Sequence, residues 1–341
     1  MFRNLAQRGP AYRWAVFITI FGGGLMLIVA LTVLLVVGTL SGGDRSQPVA
    51  LSPDVAVQEF AVLPDNDAYP AAVAVAPDGT VYTGSYVTGA LWAVDAAGEV
   101  IEIPGTRDAI GAVAGLTVAP DGTVYIVDQW DADPRTSGGD VKRLLPGGTI
   151  SVFASINDER GFVAPDDVTL DSAGNVYVSD RGRDEVWRFA PDGSGSVWWI
   201  PPTREGVEQY EPTGLAYDPA QDALLVTDGL NNLIYRVALT DGATEILYDH
   251  GEQPDPPGFD GLTLGPDGMV YVAALGQRGV ARLEENGSLT YIAGLFRGVS
   301  DVDFSPPNRL IVANFDSYSL AVAVAQPSLP FSLDVIELDG G

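Results

Sequence analysis

The residues best placed for chemistry are Ala71, Ala114, Asp166, Thr213, Asp260 and Ser300. Each immediately precedes a four-residue alternating stretch: AVAV, GLTV, DVTL, GLAY, GLTL or DVDF. Four of the six offer a side-chain oxygen, two of them as carboxylates. An oxygen-only ring suits a hard cation such as Ca²⁺, which takes about 6–8 oxygen ligands; it does not suit a soft metal. A cation held by Asp260, Asp166 and Thr213 could polarise an ester, lactone or phosphoester while a carboxylate acts as base. Two aspartates around a wet channel mouth also need no metal, so a purely binding surface stands beside the hydrolytic one.

Composition removes many other chemistries. The chain has no cysteine and a single histidine, His250, which excludes disulfides, thiol catalysis and any multi-histidine metal site. Lys142 is the only lysine. Arg3, Arg8 and Arg13 precede residue 44, leaving 15 basic against all 45 acidic residues in the remainder. So strong an anionic field disfavours nucleic acid as a partner and favours cations. His250 lies in the loop DHGEQPDPPG with no nucleophile elbow nearby, which argues against a Ser-His-Asp triad.

The elements that must position the six residues are repeats. APDGTVYT at 76–83 has relatives at 119–126, 171–178, 219–226, 265–272 and 305–312, at steps of 40 to 52 residues. Each unit reads as strand, tight turn, strand, then two further strands. Large apolar residues alternate with Ala, Gly, Thr or Asp in the first strand, as in a strand crowding toward a central axis. Asp-Gly or Ala-Gly turns supply the positive φ that a tight hairpin needs. Four strands per unit at this period predict an all-β, six-bladed β-propeller of four-stranded blades over residues 56–341. VQEFAVL, 57–63, is a spare strand expected to complete the last blade and remove a free sheet edge. FSLDVIELDG, 331–340, is preferred over SLAVAVA, 319–325, as that blade's third strand.

Loop lengths point to one face. First-to-second and third-to-fourth connections are short, whereas every long connection is second-to-third or fourth-to-next-first. Strands alternate in direction, so all long loops share one face, the usual place for a site on a rigid scaffold. Trp130, Phe162, Tyr210, Phe259, Phe296, Phe315 and Tyr318 fall there and, with Ser300 at the mouth, could meet a small-molecule ligand or a protein partner. Asp128, Asp180 and Asp228 end second strands and are expected to close Asx-type turns. Trp187, Trp198 and Trp199 read mainly as inter-blade packing, and Asn286-Gly287-Ser288 as a hairpin turn that also matches a glycosylation sequon.

Over about residues 57–340 the repeats resemble those of the NHL and SMP-30/gluconolactonase-like six-bladed propellers, in which metal-binding positions lie at the starts of inner strands. FDGLTLGPDGMVYVA, 259–273, is similar to the segment whose aspartate binds the divalent cation and serves as catalytic base, which implies that role for Asp260. PDDVTLDSAGNVYVSD, 165–180, puts Asp166 where that group has a substrate-contacting asparagine. PTGLAYD, 212–218, puts Thr213 at a metal-binding asparagine, and Ala71 stands where a glutamate ligand is expected. Two of the three metal ligands are thus changed. The resemblance implies a metal-dependent hydrolase of lactones or related esters, and the depleted ligand set favours a binding module.

Residues 14–40 carry no charge, and a helix needs about 20 apolar residues to span a bilayer. The expectation is a signal anchor over 14–40, with 1–13 cytoplasmic, 41–55 a Ser/Gly/Pro-rich tether, and the propeller outside, joined to the membrane by the N-terminal helix. The spare strand's direction would then turn the long-loop face away from the membrane.

Overall fold

The computed structural model describes residues 9, 10, 14, 18–40, 47–133, 135–322 and 325–338. These fall into two compact units, Ser46–Ser317 with Leu329–Gly341, and Met1–Arg45 with Tyr318–Ser328.

The larger unit is a ring of six four-stranded antiparallel blades, as expected from the repeats. The inner strands are Pro70–Val75, Ala112–Val118, Pro165–Leu170, Pro212–Asp218, Phe259–Leu264 and Val299–Ser305. Each neighbours the next, and the sixth returns to the first. Large alternating residues of these strands enter the apolar layers between blades; Leu116, Val168, Leu215, Leu262 and Val302 are all buried. The small alternating set points toward the following blade, where the wedge is narrowest. A Cβ on Gly115 would meet the Asp167 Cα at 2.7 Å, one on Gly214 the Gly261 Cα at 2.8 Å, and one on Gly261 the Asp301 Cα at 2.9 Å. Glycine lets the strands converge at these three joints, whereas Asp167 and Asp301 at the equivalent positions of blades three and six reach across to a backbone N–H of the next blade.

Closure follows the sequence reading. Val55–Val62 pairs antiparallel with Ser332–Leu338, which pairs with Arg309–Asn314, so the first propeller strand completes the sixth blade. Among residues 319–325, Ser319–Ala321 are helical, within Ser317–Ala321. The segment read as a tether is partly engaged: Val49–Ala50 pairs with Leu289–Gly294 on the outer edge of blade five, giving that sheet a fifth strand. Residues 41–46 lie outside the described residues, as do most of 1–13 and residues 15–17.

The N-terminal expectation is corrected. The α-helix runs Gly23–Leu40, 18 residues, after a π-helical turn at Ile18–Gly22. At about 1.5 Å per residue it is about 27 Å long, short of a hydrocarbon core of about 30 Å. Among the described residues no helix is long and apolar enough to cross a membrane. The single-pass arrangement is therefore unsupported, and the orientation of the long-loop face relative to a membrane falls with it.

Candidate functional site

All six inner hairpins share an irregularity at their leading end. Pairing shifts between Pro70 and Ala72, Val113 and Gly115, Pro165 and Val168, Pro212 and Leu215, Phe259 and Leu262, and Val299 and Asp301. The six residues singled out from the sequence sit on these bulges. A bulge frees a residue from the ladder and re-aims its side chain, which is how a propeller presents non-ladder groups at its channel mouth.

Hydroxyls on second strands complete the backbone bonding that the bulges interrupt. Thr227 Oγ1 accepts from Gly214 N at 2.7 Å and donates to the Asp260 carbonyl of the next blade at 2.7 Å. Ser179 Oγ accepts from Asp167 N at 3.0 Å and donates to the Thr213 carbonyl at 2.5 Å. Thr83 Oγ1 donates to the Ala72 carbonyl. All three are fully buried. The sequence reading missed them, although a Ser or Thr at the same place in VYVSD and LLVTD, directly before the strand-ending aspartate, was the available signal for two of the three.

Of the four oxygen side chains expected at the mouth, two are spent elsewhere. Thr213 Oγ1 shares a hydrogen with Thr227 Oγ1 at 2.9 Å, and Ser300 Oγ donates to the Ala71 carbonyl at 2.7 Å. Both residues are buried. Asp166 faces Arg181, whose Nε lies 3.6 Å from Asp166 Oδ1. Arg181 follows blade three's second strand, Val176–Asp180, and its backbone N–H donates to the Ala164 carbonyl. Its pKa is raised, chiefly by Asp166, with Asp260, Tyr86 and Glu211 adding to the effect against desolvation. Asp260 has no hydrogen bond to its carboxyl among the described residues. Burial first, and then Asp166, hold its pKa well above the usual carboxylate range, against the pull of Arg181. Glu211 and Tyr86 are also raised by burial.

The opposite rim is aromatic. Tyr86 packs edge-on to Phe315 with centroids 5.2 Å apart, and Phe315 lies 6.4 Å from Tyr69. Tyr86 Oη donates to Gln129 Oε1 at 2.7 Å, and Gln129 Nε2 donates to the Pro165 carbonyl beside Asp166 at 2.8 Å. This chain of bonds ties blades one, two and three at the mouth. Of the other aromatics, Trp130 and Tyr318 are exposed, whereas Phe162, Tyr210, Phe259 and Phe296 are buried. Tyr210 Oη accepts from Arg204 N and donates to the Pro202 carbonyl, holding its own loop, and Phe259 packs against Tyr248. These buried side chains offer no contact surface.

Below the mouth the channel holds a cavity of about 310 Å³ whose lining includes Thr117, Asp167, Thr169, Thr263, Asp301 and Asp303. Its carboxylates cross-link blades. Asp301 accepts from Val73 N and Val302 N at 2.9 and 2.8 Å, and Asp303 from Val75 N and Phe304 N at 2.7 Å each. Asp167 accepts from Leu215 N and Val168 N, also at 2.7 Å. Burial pushes Asp167 up to about 7, and raises Asp301 and Asp303 too.

The second-strand aspartates do more than close turns. Asp180 accepts from Gly182 N but also from Val163 N and Ala164 N of the arriving loop, and Asp128 from Gly111 N and Ala112 N. Asp228 does both, through Asn231 N and Glu211 N. The lone histidine lies away from the mouth, after blade four's outer strand, between Tyr248 Oη and the Gln253 carbonyl.

A divalent cation does not fit the mouth. Ala71 supplies no donor, the Thr213 hydroxyl is turned to Thr227, and Asp166 faces a guanidinium. Among the described residues no three His, Cys, Asp or Glu side chains are grouped so as to hold a metal ion.

The model of the SMP-30/gluconolactonase/LRE-like region matches residues 203–295, a segment that contains Glu211, Thr213 and Asp260. No curated protein sequence gives a significant match. Among solved structures, the chain is similar to a gluconolactonase from Xanthomonas campestris, at 16% identity over 87% of this chain and 97% of that one, TM-score 0.63. It is also similar to virginiamycin B lyase from Staphylococcus aureus, at 17% identity over 76% and 82%, TM-score 0.55. A third likeness is the PQQ-bound aldose sugar dehydrogenase from Streptomyces coelicolor, at 16% identity over 84% and 99%, TM-score 0.57. The resemblance to SMP-30/gluconolactonase-like six-bladed propellers holds in the matched segment and in the fold. Hydrolase, lyase and dehydrogenase on one scaffold show that the fold alone selects no chemistry.

Proposed function

We propose that this chain is a binding propeller that takes a small polar ligand at the channel mouth on its long-loop face. The observation that supports this best is the pairing, around one opening, of a charged rim (Arg181, Asp166, Asp260, Glu211) with an aromatic one (Tyr86, Phe315). A guanidinium presents planar donors, carboxylates present acceptors, and a ring edge or face covers apolar C–H surface; together these suit a polyhydroxylated or carboxylated small molecule. A few placed polar groups beside aromatic surface are what ligand sites generally use.

A second reading, hydrolysis of a lactone or related ester, is favoured by Asp260. Its carboxyl lacks a hydrogen bond among the described residues, burial raises its pKa above the usual carboxylate range and so makes it a stronger base when ionised, and it lies within the matched family segment. In that reading Asp260 would take a proton from water while Arg181 polarises the carbonyl.

The test is a thermal-shift screen of the full chain against sugar acids, aldonolactones and polyols, with lactone turnover followed in parallel. A ligand at 100 times its Kd adds about 2.7 kcal/mol of stability. Stabilisation by one of these compounds, lost in Phe315→Ala and without turnover, is the expected result. Lactone turnover abolished by Asp260→Asn would replace the binding reading with the hydrolytic one.

A further inference from the structure

We infer that Arg181 is a built-in counter-ion, occupying at the channel mouth the place that the family resemblance assigns to a divalent cation. The inference rests on the mouth being metal-free, as the binding reading has it, but not on any particular ligand being found.

Carboxylates from three blades act on Arg181 through their charge: Asp166 from the third, Glu211 ahead of the fourth inner strand, and Asp260 from the fifth. Three negative groups around one opening repel one another unless a cation stands among them. The Arg181 Nε lies 3.6 Å from Asp166 Oδ1, and its charge also reaches Asp260 and Glu211. The backbone bond from Arg181 N to the Ala164 carbonyl anchors it at this rim. The donors that would otherwise complete a metal shell are absent or diverted: Ala71 and Ala114 have none, and Thr213 and Ser300 are bonded to Thr227 Oγ1 and the Ala71 carbonyl. A hard cation that needs about 6–8 oxygens is poorly served by such a set. A guanidinium is not, because it is permanently charged and uses the carboxylates directly. Being covalently attached, it also cannot be stripped by a chelator.

The test titrates Ca²⁺ to about 10 mM, above the weakest ordinary protein sites at about 1 mM, against the full chain, with thermal midpoint and calorimetric heat as readouts. Wild type should show neither a chelator effect nor a Ca²⁺ shift beyond that of matched ionic strength. Arg181→Gln should melt a few degrees lower without metal and recover with Ca²⁺. Arg181→Gln/Asp260→Asn should melt above Arg181→Gln in the absence of metal and lose the Ca²⁺ response. Should Arg181→Gln fail to fold, the triple variant Arg181→Gln/Asp166→Asn/Asp260→Asn decides. A folded triple variant supports the counter-ion role, and an unfolded one makes Arg181 a packing residue and overturns it. Wild-type chain that binds Ca²⁺ with stabilisation lost in Asp260→Asn also overturns it. That result leaves the ligand screen standing, just as an empty screen leaves these metal responses interpretable.

Discussion

Asp166 and Asp167 are adjacent, yet they belong to two regions that use the same side chain for opposite ends. Asp167, like Asp301 and Asp303 deeper in the channel, accepts one backbone N–H from its own strand and one from the next blade. Inner strands are edge strands, with N–H groups that would otherwise face the channel unpaired. These carboxylates therefore finish the sheet edges and link blade to blade. At the mouth, Asp260 has no hydrogen bond to its carboxyl among the described residues, and Asp166 faces a side-chain cation. A buried carboxylate with two backbone donors is a structural part. One that the fold places near the axis and leaves unbonded is available for a ligand or a reaction.

The largest effect should come from breaking the structural set. Asp301→Ala leaves the buried N–H groups of Val73 and Val302 without their acceptor at the joint where the last blade meets the first. Each orphaned buried donor costs about 1–3 kcal/mol, so a loss of about 3 kcal/mol is expected, after some offset from relieved repulsion with Asp167. Asp260→Ala should leave stability unchanged or slightly raised, because it removes a desolvated charge that no hydrogen bond compensates. Chemical denaturation midpoints of the two variants compare the regions directly. Equal losses would show that the mouth carboxylate also holds the fold.

A hydroxyl comes next. Thr227→Val removes the acceptor of Gly214 N and the donor to the Asp260 carbonyl while keeping the side chain's shape. The expected cost is about 2 kcal/mol in the denaturation midpoint. Because Thr227 supports the bulge that carries Asp260, the variant should also weaken any mouth ligand, whereas Thr83→Val in blade one should cost stability alone.

Much of this fold was legible because its signals are local. Alternation over four residues, Asp-Gly turns and a period of 40 to 52 define the hairpins, and the unmatched strand at 57–63 had to pair with a blade lacking one. The positions around the mouth were legible as well, since each leads an inner strand. Their directions were not. Whether Thr213 points to the channel depends on Thr227, fourteen residues away across a bulge, and Ser300 is held by a carbonyl at Ala71, 229 residues away. Arg181 could have been flagged as a rare cation just past a strand end in an acidic chain, but its partners come from other blades. Composition misled at the N-terminus for a related reason. Hydropathy counts apolar residues, whereas spanning needs helical length, and the α-helix described at Gly23–Leu40 is about 27 Å long against a core of about 30 Å.

The pH response should be gentler. Asp167 rises from 3.8 in the unfolded chain to about 7 in the folded one, so the folded state holds that proton more tightly. Between those values unfolding releases a proton, and stability falls as pH rises from about 4 to about 7. Asp301 and Asp303, raised in the same direction, add to the slope. Self-repulsion within a chain of formal charge −27 has the same sign, so the contrast must be made by mutation. Melting midpoints should be higher at pH 5 than at pH 8, and Asp167→Asn should flatten the difference whatever it does to the absolute midpoint. An unchanged slope would mean that the channel carboxylates are not its source.

The smallest effect tests whether environment rather than geometry decides what an ion pair is worth. Arg135 and Asp133 approach to 2.5 Å, with Arg135 88% exposed, while Arg181 and Asp166 stand 3.6 Å apart at 40% and 17%. By distance alone the first pair is stronger, and Arg135 does hold the Asp133 carboxyl down to about 2. That shift carries no weight for stability, because a solvated pair exchanges water contacts for ionic ones and is screened by salt. At the mouth the alternative to the arginine is not water around a free carboxylate but several carboxylates in a restricted opening. Arg135→Ala should therefore leave the thermal midpoint unchanged at any salt concentration, while Arg181→Gln lowers it, least at high salt. A midpoint that fell as far in Arg135→Ala would remove the argument that converging acids give Arg181 its role.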